Sequence, residues 1–71
     1  MIRFSTAPEL HWHRHIGLYI TFGVRAYREN TQLLHIPDAF CHRREAESFV
    51  DLCNAEQPTL THVREWLDDN L

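Results

Sequence analysis

The sequence predicts an α+β domain: a small three-stranded antiparallel meander followed by two C-terminal helices packed on one face. Two observations carry this expectation. Apolar residues alternate with period two through the first half of the chain, then recur at helical spacing from Arg43 onward. Strands followed by helices is the order of a sheet covered by a helical layer. At 71 residues and 8.5 kDa the chain is expected to be one domain, 1–71. Surface scaling gives about 4,600 Å² exposed in the folded state, so a single two-layer core is all it can build.

The first strand is expected at about 2–13. Ile2 and Phe4 alternate with Arg3 and Ser5, and Leu10 and Trp12 alternate with His11, His13 and His15. Ala7-Pro8 is expected to interrupt or bulge this strand, and Arg14 to Gly17 to form the turn. The second strand, about 16–27, is the clearest signal: Ile16, Leu18, Ile20, Phe22, Val24 and Ala26 share one parity, which predicts a face laid on a core. Gly23 permits a bulge or a close approach by another element. Arg28-Glu29-Asn30-Thr31 is a polar break, with Asn30 suited to a left-handed turn position. The third strand is expected at 32–36, ended by Pro37, which lacks an amide donor.

The first helix is expected at about 42–55, with Ala46, Phe49, Val50 and Cys53 on its apolar face. Asn54 to Pro58 breaks the pattern, and Thr59 or Thr61 can cap the second helix, about 60–70. Leu60, Val63, Leu67 and Leu71 form its stripe, bordered by Trp66 and Asn70.

Composition excludes several classes. A hydrophobic fraction of 44% is too apolar for a disordered tail. No apolar run approaches the roughly 18 residues of a spanning helix, so no membrane role is expected. Ten carboxylates against seven arginines, with a net charge of −3 and no basic cluster, disfavour nucleic acid. A second helix carrying Glu65, Asp68 and Asp69 has the wrong sign for a DNA groove. Protonating six histidines would carry the net charge from −3 to about +3 below about pH 6. The start of the chain lacks the pattern of a secretory signal. Two cysteines, Cys41 and Cys53, fit free thiols in a reducing cytoplasm.

Three constellations could carry chemistry. His11, His13 and His15 share one strand face about 6.6 Å apart. Two of them could hold one zinc, and all three only across a bend. Cys41-His42 sits at a helix start, but adjacent residues there do not face each other, so a nucleophile is not expected. Asp68 and Asp69 project about 100° apart, which suits a solvated surface or a contact with a basic partner rather than a paired-carboxylate site. His62, in the first turn of the second helix, can bond to the preceding loop or the sheet. Trp66 is a candidate interface anchor.

From Phe22 to Leu71 the chain resembles a family of small uncharacterised bacterial proteins, mainly from Gram-positive species. The residues concerned are Phe22-Gly23-Val24, Ile36-x-Asp38, Phe49-Val50-x-x-Cys53-Asn54, Thr59-x-x-His62-Val63 and Asp68-Asp69-x-Leu71. The chain departs from that pattern at Phe40-Cys41, Leu60 and Asn70, and its histidine-rich segment has no counterpart there. The resemblance implies a short sheet followed by two helices and brings no activity with it.

The expected function is a non-enzymatic interaction or regulatory module without a cofactor. It would self-associate as a homodimer or dock on a protein partner, with Trp66, His62, Asp68 and Asp69 as contact residues. The alternative is a small metal-binding protein, with zinc held by His11, His13 and His15.

Overall fold

The computed structural model describes residues 1–69 and has the element order β1 (Arg3–His13), β2 (Gly17–Arg28), β3 (Thr31–Phe40), α1 (Arg43–Glu56) and α2 (Leu60–Asp69). The sheet is antiparallel in the order β1-β2-β3, so the α+β meander with two following helices is the fold. The expectations for Asn70 and Leu71 fall outside the described residues.

β1 and β2 pair without a register shift from Arg3 opposite Tyr27 to His13 opposite Gly17, so the interruption expected at Ala7-Pro8 is absent. The reason lies in the direction of the amides. The Ile2 and Phe4 amides donate away from β2, to side chains of Gln57 and Asn54. Pro8 has the same parity, so its nitrogen faces the open edge and no ladder bond is lost. At the tip, the Ile16 amide donates to the His13 carbonyl at 3.1 Å, and Gly17 takes a φ of 86°.

β3 runs to Phe40 rather than stopping at Pro37. It bulges: Val24 faces Ile36 and Phe22 faces Phe40, leaving Pro37, Asp38 and Ala39 opposite Gly23. Pro37 is accommodated inside this irregular stretch, where ladder pairing is already suspended. Gly23 is what allows the approach, since a Cβ there would lie 2.6 Å from the Ile36 carbonyl oxygen. The β2–β3 turn places Glu29, not Asn30, in the left-handed region, at φ 55°.

α1 is held at both ends. At its start the Arg43 guanidinium lies 5.0 Å over the Phe22 ring. At its end Asn54 accepts from the Phe4 amide at 2.8 Å and donates to the Phe4 carbonyl at 3.0 Å. Gln57, in the left-handed C-cap position, does the same for Ile2 at 2.8 and 2.6 Å. Two side-chain amides thus take the place of a neighbouring strand along the first part of the β1 edge. α2 is capped as expected, with the His62 amide donating to Thr59 Oγ1 at 3.2 Å.

The core joins Phe4, Val24, Ala26, Leu34 and Ala39 of the sheet to Val50 and Cys53 of α1 and Val63 and Leu67 of α2. This core fills only half of the sheet's inner face. Leu10, Trp12, Leu18 and Ile20 have the parity of Phe4 and Val24, yet they are exposed by 68, 69, 69 and 48%. Leu10 and Trp12 point to the core side but nothing lies over them. Ile16, expected in the same buried row, is 67% exposed at the tip.

The shape reflects this. The Cα radius of gyration is 12.7 Å, against about 11 Å for a compact chain of this length. The accessible surface is 5205 Å², roughly 500 Å² above the scaling expectation.

Candidate functional site

The site grows out of a mismatch of lengths. A helix rises about 1.5 Å per residue, so the 14 residues of α1 reach about 21 Å. A strand rises about 3.4 Å per residue, so the 11 residues of β1 reach about 37 Å. α1 is fastened to the Ile2–Phe4 end of the ribbon and begins at the level of Phe22. The ribbon beyond Phe22 therefore projects past the helical layer. Its two strands set Leu10 opposite Ile20 and Trp12 opposite Leu18, which makes one continuous apolar face.

The tip of this ribbon carries His13, Arg14 and His15. The His13 and His15 rings lie 5.5 Å apart, the His15 amide donates to His13 Nδ1, and Arg14 Nε donates to His15 Nε2 at 3.3 Å. His11 is not with them. It stacks on Tyr19 at 5.1 Å, shares a 2.7 Å hydrogen bond with Thr21 Oγ1, and lies 3.6 Å from the Glu9 carboxylate. Glu9 also faces His35 Nε2 at 3.5 Å. The histidine row is thus divided between the tip and a polar cluster on the sheet's outer face. Among the described residues no group of three His, Cys, Asp or Glu side chains is arranged to hold a metal ion. Arg25 Nε, also on that outer face, is buried without a hydrogen-bond partner.

The expected contact residues of α2 lie on the other layer. The Trp66 ring is half-buried, 6.3 Å from Phe49 in an edge contact and stacked 5.9 Å from His62. Phe49 in turn contacts Phe40 at 5.4 Å. Trp66 is therefore the outer end of an aromatic row leading into the core. His62 is exposed and its ring covers Trp66, one helical turn on, rather than reaching the sheet. Asp68 and Asp69 are exposed in the last turn, which holds no basic residue. Leu67 shares a groove of about 890 Å³ with Phe40, Cys41, Ser48, Phe49 and Leu52, so the last turn of α2 lies beside the first turns of α1. That places the carboxylates at the end of the helical layer nearest the uncovered ribbon.

Both thiols are free. Cys41 is exposed, just before α1, and His42 is the helix cap residue without a side-chain cap bond. Cys53 is fully buried, and burial pushes its thiol up to about 11.

Sequence reasoning missed Leu10, Ile16, Leu18 and Ile20 as surface residues, and Glu9 as the shared partner of His11 and His35. Strand and helix lengths were the available signal for the first group. The second depends on the β2–β3 register, which the bulges shift.

What fold and site define together is a small sheet-and-two-helix protein with an apolar ribbon face left open. No family model, curated protein or solved structure matches the chain. No helix among the described residues is long and apolar enough to cross a membrane.

Proposed function

We propose that this chain is a non-enzymatic protein-interaction module whose contact surface is the uncovered face of the β1–β2 ribbon. One observation carries the reading: Leu10, Trp12, Leu18 and Ile20 stand side by side on the core face of the sheet with half to two-thirds of their surface in water. Scattered exposed apolar residues are ordinary, but a contiguous set that includes a tryptophan is the composition of an interface centre. Asp68 and Asp69, exposed at the end of the helical layer that faces the ribbon, would serve as its polar rim, while Trp66 supports α2 from within the aromatic row. Free thiols at Cys41 and Cys53 suit a reducing cytoplasm as the setting. A zinc site at His11, His13 and His15 would require His11 to leave Thr21 and Glu9, so the interaction reading has the greater support.

The test compares the wild-type chain with a Trp12→Ser, Leu18→Ser variant in two assays. Sedimentation reads self-association, and capture from host lysate reads association with other proteins. The variant is expected to keep its circular dichroism spectrum, and to match the wild-type melting temperature at concentrations where both are monomeric, while losing whichever association the wild type shows. Association that survives both substitutions would sink the reading, as would a wild-type chain that associates with nothing in either assay.

A further inference from the structure

We propose that the uncovered ribbon face is closed by a second copy of this chain, in a two-fold arrangement that sets the basic tip of each ribbon against the acidic end of α2 in the other. The proposal rests on the reading of that face as an interaction surface and names its occupant.

Area is the first argument. At their observed exposures Leu10, Trp12, Ile16, Leu18 and Ile20 offer roughly 600–700 Å² of apolar surface per copy. A stable interface buries about 800 Å² per partner, so these side chains and a polar rim suffice. An apolar patch is also self-complementary, which an isologous two-fold contact requires.

Geometry supplies the second argument. The uncovered stretch runs from the level of Phe22 to Gly17, about 17 Å along the strands. A two-fold axis through its middle, perpendicular to the sheet, would leave the two faces side by side, whereas an axis in the plane between them lays one face on the other. In the latter arrangement, with the ribbons antiparallel, the tip of each copy reaches the level of Phe22 in its partner, where the helical layer begins. Stacked sheets lie about 10 Å apart, close to the diameter of a helix. The partner ribbon therefore occupies the same layer as α1 and α2 and continues it end to end.

Charge is the third argument. The helical layer is acidic, with seven carboxylates against three arginines in residues 43–71. Asp68 and Asp69 stand at a helix C-terminus, where the dipole disfavours them, and among the described residues neither forms an ion pair. In the two-fold arrangement Arg14, between His13 and His15, is the cation that reaches them. The alternative route to a dimer, strand addition, is impeded along the first part of the β1 edge and by the irregular course of β3. Asn54 and Gln57 occupy the backbone groups of Phe4 and Ile2, Pro8 offers no donor, and β3 is bulged.

Sedimentation equilibrium of the untagged chain, from low to high micromolar concentration, tests this. The expected result is a monomer–dimer equilibrium that Trp12→Ser with Leu18→Ser loosens at least about a hundred-fold, since each substitution acts twice across the two-fold. Arg14→Glu alone, and Asp68→Arg with Asp69→Arg alone, should each loosen it roughly ten-fold. Mixing those two charge variants in equal amounts should restore wild-type affinity, because both rims are then oppositely charged. A monomer throughout the range, a dimer indifferent to the ribbon substitutions, or a mixture no tighter than its components would overturn the proposal. A wild-type monomer that still captures another protein through Trp12 and Leu18 defeats the second copy and leaves the interaction reading standing. A monomer that captures nothing defeats both.

Discussion

The β1–β2 ribbon is one structure with two halves. In the half from Phe4 to Phe22, the inner-face residues Phe4, Phe22, Val24 and Ala26 are buried beneath the helical layer. In the half from Leu10 to Ile20, residues of the same parity and similar size stand in water. Neither strand chemistry nor register distinguishes the halves; the reach of the helices does. A helix covers less than half the distance per residue that a strand does, and Asn54 and Gln57 fix where that coverage begins. An amphipathic strand therefore specifies which side is to be covered and leaves open what covers it.

This contrast can be broken most strongly from the covered half. Phe4 is 2% exposed at the centre of the core, and Phe4→Ala should cost about 3–5 kcal/mol, enough to unfold so small a domain in a thermal melt. Next comes the alkaline limb of Cys53. Its thiol is pushed from 9.0 to about 11 by burial, so the folded state keeps a proton that the unfolded chain releases. Stability is then full below about pH 9 and falls by about 2–3 kcal/mol as pH rises to 11. Denaturant melts between those values should show the loss, and Cys53→Ala should flatten it. With the native chain, a thiol reagent near neutral pH should label Cys41 and spare Cys53.

Gly23→Ala should cost about 1–3 kcal/mol, because the added Cβ meets the backbone of Ile36 and Pro37 rather than a side chain able to move. Asn54→Ala should cost about 1–2 kcal/mol by leaving the Phe4 amide and carbonyl unpaired, and hydrogen exchange should locate the loss at the start of β1. The smallest effect sharpens the comparison. Trp12→Ser should change the stability of the monomer by less than about 0.5 kcal/mol, despite removing the largest apolar side chain of the ribbon. A cost similar to that of Phe4→Ala would mean that the distal half is covered after all.

The fold was legible because its signals are local. Period-two alternation from Leu18 to Ala26 and helical spacing from Ala46 to Cys53 need only neighbouring residues to be read. Thr59 as a cap is likewise a matter of three residues. The register of β3 was not legible, because Pro37 reads as a strand end unless Gly23, on the next strand, is known to admit a bulge beside it. Glu29 taking the left-handed position that Asn30 was suited to shows the same dependence, since the turn follows from where the strands lock. At the site, the three histidines were visible as a row, but their division between Thr21 and the tip depends on cross-strand neighbours. Asn54 and Gln57 look in sequence like loop residues after a helix. Only the placement of that helix end beside Ile2 and Phe4 makes them the clasp of the β1 edge.

The elements, their order and the apolar side of each were readable from the sequence, as was the lack of a run of basic residues. These follow from side-chain type and periodicity, which are properties of neighbouring residues. Tertiary structure alone decided that the helices stop at the level of Phe22, that the β1 edge is occupied by side-chain amides, and that four large apolar residues remain in water. Those outcomes depend on how far elements of different rise per residue extend once they are fastened together, and that distance is fixed only when they pack.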